Sequence, residues 1–388
     1  MSNRESKPLA IGLDTITRRP HGDRIISNSW GMGRDTPSKV EQFRELLKKV
    51  GSGTHTSEAL TRAEAAAAMR MMLKQEATPA QIGAFLIAHR IRRPAPEELA
   101  GMLDACSKLG PHIAPIASTP VTVFGVPYDG RARTAPVMAV TALLLAAAGV
   151  PVLLHGGDRM PTKYGLPQVG IWQGLGVAFA TLSLAQVRKV LVETGVGFTY
   201  LPVQFPQAAQ LVPYRDEIGK RPPLATLELV WSPYDGATRA IVGFVHPPTE
   251  GLLRTTLALR GAPALTTVKG LEGSCDLARS RPGIVGVVRA DGSCDRLTLH
   301  PHDHGLGGSD APLEAPEIYC AQLRAVLEGK ASALTTAAIW NGGFYLWHCG
   351  VCTDLETGFA KAEAMLKDGV AAGKCEQVAF ACRDAIAS

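Results

Sequence analysis

Apolar residues change their spacing once along this chain, and the change divides it. From Ser38 onward Val40, Phe43, Leu46, Leu47 and Val50 recur three or four positions apart until Gly51, the stripe that one buried face of an α-helix requires. Ser38 stands where an N-cap belongs. Thr61 and Glu64 form a capping box ahead of an alanine-rich run to Leu73. Thr78-Pro79 opens a third helix carrying Ile82, Phe85, Leu86 and His89, and Pro96-Glu97-Glu98 opens a fourth that stops near Gly110.

At Val121–Gly125 short β-branched runs take over, separated by helical ones. Strands are predicted there and at Val150–Leu154, Gly197–Leu201, Ala240–Val245, Ala264–Val268 and Ile284–Val288, with helices between them at Thr134–Ala148, Leu184–Glu193 and Thr249–Leu259. Strand–helix alternation implies a mostly parallel sheet covered on both faces. Helical runs at Leu313–Leu327, Ala331–Leu346 and Asp354–Lys367 close the chain, and no internal repeat is visible. The expected fold class is α/β: a small helical N-terminal domain over residues 38–117, rejoined by a helix near 184–193, and a larger, mostly parallel α/β domain over residues 118–388.

Thr134–Leu154 carries no charge and, at about 20 residues, is long enough to span a bilayer. Pro136 and Gly149-Val150-Pro151 punctuate it, however, so a buried helix, a turn and a strand are expected instead of a membrane partner. Residues 1–37 carry Arg18-Arg19, Arg24 and several glycines without periodicity and read as an irregular extension. Glu5, Asp14, Asp23 and Asp35 break what a transit peptide keeps free of acids, and no apolar signal core is visible.

Composition narrows the classes further. With 46% hydrophobic and 19% charged residues the chain can bury large cores and is not of the disordered class. A net charge of +5 permits an anionic ligand, while dispersed Lys and Arg lack the clustering of a strong nucleic-acid footprint. Eight cysteines in 388 residues are too sparse for a disulfide scaffold, which predicts the reducing cytoplasm. His348-Cys349-Gly350-Val351-Cys352 admits redox or metal chemistry but has no second pair at zinc spacing. His300, His302 and His304 would share one face of a strand and admit a metal. Arg90, Arg92 and Arg93 end a helix, where cations suit the dipole, and read as solvated surface.

A helical bundle, Gly125-Val126-Pro127-Tyr128-Asp129-Gly130 after the first strand, an alanine-rich helix, a strand and His155-Gly156 follow one another here. With a closing Leu-Glu-Gly, Asn341-Gly342-Gly343 and Leu355-Glu356-Thr357-Gly358, the chain from Ser38 onward resembles the anthranilate phosphoribosyltransferase family, of the nucleoside-phosphorylase-like glycosyltransferase fold. The resemblance implies a homodimer with its active site at the hinge between domains. It implies transfer of a (phospho)ribosyl group from a phosphorylated pentose donor to a small aromatic acceptor, with Mg²⁺ on the phosphates. It assigns Gly125, Asp129, Gly130, His155, Gly156 and Arg159 to the donor, with Thr162 and Lys163 following in the same loop. Arg131 and Arg133 bring cations beside them. Arg215 matches the arginine for the acceptor's carboxylate, an ion pair with Asp216 or Glu217 being the alternative. His155 could equally be a hydrogen-bonded structural residue.

Several positions depart from the family pattern. Pro127 and Tyr128 replace small residues in the glycine loop. Pro136, Met138 and Ala139 stand where phosphate-holding side chains belong, and Leu154 stands where a lysine does. Glu272 and Asp276, the acids left for Mg²⁺, are separated rather than adjacent. Little or no authentic anthranilate activity is therefore expected. One branch of the family binds nucleic acid in a basic groove instead, a partner that Arg131, Arg133, Arg159, Lys163 and the Arg90–Arg93 cluster would suit. Either way the cleft should bind an anion, helped by a helix beginning near Thr134.

Overall fold

Three of the predicted N-caps close as reciprocal capping boxes. The side chains of Ser38, Thr61 and Thr78 accept from the N–H groups of Glu41, Glu64 and Gln81, whose own side chains reach back to the cap. These caps start α1 (Lys39–Gly51), α2 (Arg62–Leu73) and α3 (Pro79–Arg92), and α4 (Pro96–Leu109) follows. The coordinates, a computed structural model, describe residues 37–388 apart from 54, 117–119, 263 and 290; all but the last residue of the N-terminal extension lies outside them.

Phe43, Met72, Ile82, Phe85, Leu86 and Leu103 fill the helical core. α2 and α4 approach so closely that a Cβ on Gly101 would lie 2.0 Å from the carbonyl oxygen of Arg62. Glu98 is buried among them, accepting from the N–H groups of Leu60 (2.9 Å) and Ala95 (2.7 Å) and from Arg92. Burial opposes its charge, yet His89 and Arg92 hold its carboxyl at about 2. Arg92 is thus a counter-ion to a core carboxylate, which corrects its reading as solvated surface; Arg90 and Arg93 are exposed.

The sheet has seven strands: β1 (Val121–Gly125), β2 (Val152–Gly156), β3 (Val196–Tyr200), β4 (Thr238–Gly243), β5 (Leu265–Val268), β6 (Gly283–Val288) and β7 (Cys294–Leu299). Their order is β3-β2-β1-β4-β5-β6-β7. The first five are parallel, with Thr122 of β1 opposite Val152 and Arg239, while β6 and β7 run antiparallel. β7 escapes prediction because it is a half-exposed edge strand without an apolar run.

Within the apolar run, α5 (Met138–Ala147) is almost wholly buried, Gly149 turns the chain at φ +85°, and β2 follows. Among the described residues no helix is long and apolar enough to cross a membrane. α5 begins four positions later than expected. Pro136 disfavours helix at the residue before it, and Ala135 and Thr134 instead pair with residues 311–312.

The helix expected to rejoin the bundle does not. Leu184–Thr194 turns Val187, Val190 and Leu191 into the sheet core, against β3 and a final helix, Val370–Ala387. That final helix also went unpredicted, its buried face being mostly Ala and Cys. The chain returns to the bundle later, through short helices between Leu201 and Leu227 that place Leu201, Phe205, Leu211, Leu224 and Leu227, with Trp231, in the helical core. Prolines interrupt this stretch, so it shows no helical period.

Candidate functional site

β1 and β2 are parallel neighbours, so the loops leaving their C-terminal ends lie side by side, the usual ligand position in an open α/β sheet. The two loops are laced together. Gly165 N–H donates to Asp129 O (2.9 Å), Leu166 N–H to Arg131 O (2.7 Å) and Arg131 N–H to Leu166 O (3.3 Å). Gly130 has φ +73°, and a Cβ there would sit 2.4 Å from Leu166 O. On Gly125 a Cβ would sit 1.7 Å from Leu229 O. Close approach of the protein's own backbone therefore already demands both motif glycines.

Tyr128 and His155 are both buried, with the Tyr128 hydroxyl bonded to His155 Nδ1 and the rings edge to face. Trp231 meets the His155 ring from another side, at 5.2 Å. Burial pulls the His155 pKa down to about 3, so the imidazole is neutral. His155 is a core residue and not a donor contact, because Tyr128 covers it. Gly156 and Leu154 are also buried, and the latter, like Met138 and Ala139, belongs to the sheet core. The Pro136 carbonyl accepts from Tyr319.

Arg131 is 4% exposed and wholly committed within the protein. Its Nη1 donates to Asp276 Oδ2 (2.9 Å) and Ser274 Oγ (3.0 Å), and its Nε donates to Thr134 Oγ1 (3.1 Å) and lies 3.5 Å from Glu272 Oε1. Glu272 in turn accepts from three successive backbone N–H groups, those of Ala132 (3.1 Å), Arg133 (3.1 Å) and Thr134 (3.0 Å). Such a run of N–H groups is an anion nest, and here a carboxylate of the same chain occupies it. Asp276 takes the N–H of Val137, just ahead of α5 (3.0 Å). The helix start expected to face a ligand is therefore capped internally, and Arg131 is a buried ion-pair partner, not a free phosphate ligand.

Beside this cluster lies an open cleft of about 500 Å³, lined by Ala132, Arg133, Lys163, Arg221, Val245, Lys269, Gly270, Glu272 and Arg281. Five cations face one carboxylate. Arg133 is 82% exposed and touches only the far edge of Glu272, at 3.9 Å. Lys269 and Arg281 have no ion pair among the described residues. Lys163 donates to the carbonyls of Gly130 (2.9 Å) and Glu272 (3.3 Å). Of the sequence candidates, Arg133, Lys163 and Glu272 line the cleft. Thr162 and Arg159 are exposed outside its lining, Arg159 being turned to the carbonyl of Tyr164. Arg221, Lys269 and Arg281 were not foreseen, since Arg221 comes from the stretch that returns to the bundle while Lys269 and Arg281 stand at opposite ends of the β5–β6 connection, with no shared spacing.

A second, apolar cavity of about 70 Å³ is lined by Met69, Phe205, Trp231 and other side chains of the helical core, with Tyr128, Arg215 and Glu228 at its polar side. Arg215 is 3% exposed and donates to Glu228 Oε1 (2.7 Å), so its partner is neither Asp216 nor Glu217; Asp216 accepts from Tyr164 instead. Burial raises the pKa of Glu228, against the pull of Arg215 and Arg221. Fully buried Asp129 joins the two spaces: Lys163 of the cleft lies 3.4 Å from it, Arg215 of the cavity 3.6 Å, and Arg221 3.9 Å.

The remaining motifs do not form sites. His302 and His304 sit on a 3-10 turn after β7, not on a strand face, and His304 packs on Trp340 and Phe359. All eight cysteines are free thiols, and burial raises the pKa of Cys349. No group of three or more His, Cys, Asp or Glu able to hold a metal occurs among the described residues.

Comparison with known proteins agrees with this architecture. Residues 44–110 match the helical bundle domain of a glycosyl transferase family, and residues 129–372 match its a/b domain. An anthranilate phosphoribosyltransferase of Azorhizobium caulinodans is 32% identical over 88% of this chain and 97% of its own. One from Rhodopseudomonas palustris is 31% identical over 87% and 98%. The fold matches the Thermus thermophilus anthranilate phosphoribosyltransferase at a TM-score of 0.70 and 24% identity, covering 87% of this chain and 99% of that one. It matches the Saccharomyces cerevisiae enzyme in complex with PRPP and Mg at 0.75 and 16%, covering 88% and 98%.

Proposed function

Because this chain belongs to the glycosyl transferase family, through both its helical bundle and its a/b domain, we propose that it is an anthranilate phosphoribosyltransferase-like protein with a rebuilt donor site. A phosphorylated pentose would lie in the cationic cleft, its charge met by Arg133, Lys163, Arg221, Lys269 and Arg281. A small aromatic acceptor would lie in the apolar cavity. The carrying observation is that one buried carboxylate, Asp129, lies within ion-pair distance of a cation of each space. Binding two reactants in neighbouring spaces brings them near one another, the main contribution such a site makes, and transfer then requires the Asp129 wall to open. Anthranilate itself suits the cavity poorly, since its carboxylate would have to displace Glu228 from Arg215. A homodimer belongs to the same reading and is checked by light scattering.

Calorimetry on the full chain tests this. Pyrophosphate and phosphoribosyl pyrophosphate should bind at low salt. Lys269→Ala with Arg281→Ala should weaken binding at least about tenfold, since each charge-assisted contact contributes roughly 1.5–3 kcal/mol. Absence of binding, or indifference to both substitutions, refutes the cleft assignment. Turnover of anthranilate should be slight, because each lost stabilising donor costs about 10²–10³ in rate; efficient turnover refutes that part.

The exposed guanidinium of Arg133 at the rim favours a second reading, a single-stranded nucleic acid along the cleft. An oligonucleotide would then bind with log K falling against log salt by about 0.7 per phosphate neutralised. Tighter binding of the oligonucleotide than of the pentose phosphate would favour that reading.

A further inference from the structure

A divalent cation on the acids after β5 is what the family leads one to expect, and the residues present do not fit one. Glu272 spends both oxygens: Oε2 accepts from Ala132 N–H, and Oε1 from Arg133 N–H, Thr134 N–H and the Thr134 hydroxyl (2.9 Å). Asp276 Oδ2 accepts from Val137 N–H and from Arg131. Asp276 Oδ1 is the one oxygen of the pair without a hydrogen bond. Mg²⁺ needs about six oxygens in near-octahedral array at about 2.0–2.1 Å, and a single free carboxylate oxygen does not provide that. The guanidinium of Arg131 touches both carboxylates, 2.9 Å from Asp276 and 3.5 Å from Glu272, with all three side chains at most 4% exposed.

We propose that Arg131 is a built-in replacement for a divalent cation. It offsets one of the two negative charges of Glu272 and Asp276 permanently and bridges both acids, and the cleft beside it binds its phosphate ligand without metal. A metal bridge normally brings two repelling anions, protein acid and phosphate, into one site. Here half of the acids' charge is already met by a covalently attached cation, and the ligand's charge is left to Arg133, Lys163, Arg221, Lys269 and Arg281. Arginine suits the exchange because its planar fork serves two carboxylates at once and does not deprotonate. The ligand half of this proposal rests on the cationic cleft being the anion site; the Arg131 half does not.

Two measurements on the wild-type chain test the halves separately. Mn²⁺, followed by water-proton relaxation, should show no stoichiometric site; a stoichiometric site that Glu272→Gln abolishes overturns the Arg131 half. Pyrophosphate calorimetry should give an affinity in EDTA equal to or higher than in Mg²⁺, because Mg²⁺ lowers the ligand's charge. Affinity tenfold or more higher with Mg²⁺ overturns the metal-free half, and absence of binding in both buffers overturns it together with the cleft assignment. Arg131→Ala, which opens the space between the acids, should gain a Mn²⁺ site that Arg131→Ala/Glu272→Gln lacks. If folded Arg131→Ala gains none, Arg131 is not the replacement; if it does not fold, the wild-type measurements decide.

Discussion

Replacing Glu272 with Gln should make the protein less stable and its cleft a stronger anion binder. Its carboxylate takes three successive backbone N–H groups and the Thr134 hydroxyl at 2.9–3.1 Å, and its side chain is 4% exposed. Burial raises its pKa, but the donors of Ala132, Thr134 and Arg133 outweigh burial and hold it at about 2, against an ordinary 4.5. That drop corresponds to roughly 3 kcal/mol in favour of the carboxylate over its neutral form, and the neutral amide should lose about that much. The folded pKa is the depressed one, so the stabilisation is complete above the ordinary value of 4.5 and fades as pH falls toward 2. Urea unfolding should show a gap between wild type and variant of roughly 3 kcal/mol at pH 7, at least halved by about pH 3. Losing one negative charge some 6 Å from a bound phosphate, at an effective dielectric of about 20–40, adds roughly 1.4–2.8 kcal/mol to binding, or about 10–100-fold for pyrophosphate. Equal stability at pH 7, or a gap that persists undiminished at pH 3, refutes the nest argument. An affinity that does not rise refutes the placement of the anion.

His155 is neutral in the fold, with its pKa lowered from 6.5 to about 3 by burial. The unfolded chain therefore takes up the proton first, stability falls as pH drops below 6.5, and the loss reaches roughly 2 kcal/mol by pH 5. His155→Gln should lack that slope in urea titrations at the two pH values; an identical slope in both proteins rules the burial argument out. Gly101→Ala forces a Cβ to 2.0 Å from the Arg62 carbonyl oxygen, so α2 and α4 must part. A loss of about 1–3 kcal/mol is expected, and an unchanged melting curve would show the contact to be soft. Arg215→Ala leaves Glu228 buried without its partner, which should cost about 3–5 kcal/mol. Arg215→Met with Glu228→Gln should recover most of that, and failure of the pair to recover would place the cost in packing rather than charge.

The site was legible in outline and misread in detail. Gly125, Gly130 and His155 keep the family's spelling, yet each is accounted for by an internal contact: Leu229 O, Leu166 O and the Tyr128 ring. Arg131 was found as a cation near the loop, but a sequence does not disclose that its charge is already taken by Glu272 and Asp276, well over a hundred residues away. Lys269 stands three residues before Glu272 in the sequence, but a lone lysine signals nothing until Arg281 and Arg221 stand near it.

Sequence by itself determined what depends on neighbours a few positions apart. Capping boxes at Ser38, Thr61 and Thr78, the helical stripe of α1 and the β-branched runs of the central strands are local, since one turn or one pleat sets them. Tertiary structure decided the rest. It alone placed Leu184–Thr194 in the sheet core and the proline-broken stretch from Leu201 to Trp231 in the helical one, because an apolar stripe names a buried face but not the surface that covers it. It alone separated the arginine spent on carboxylates from the five cations that line the cleft. Charge acts through space, and which charges meet is settled only when the loops after β1, β2 and β5 close on one another.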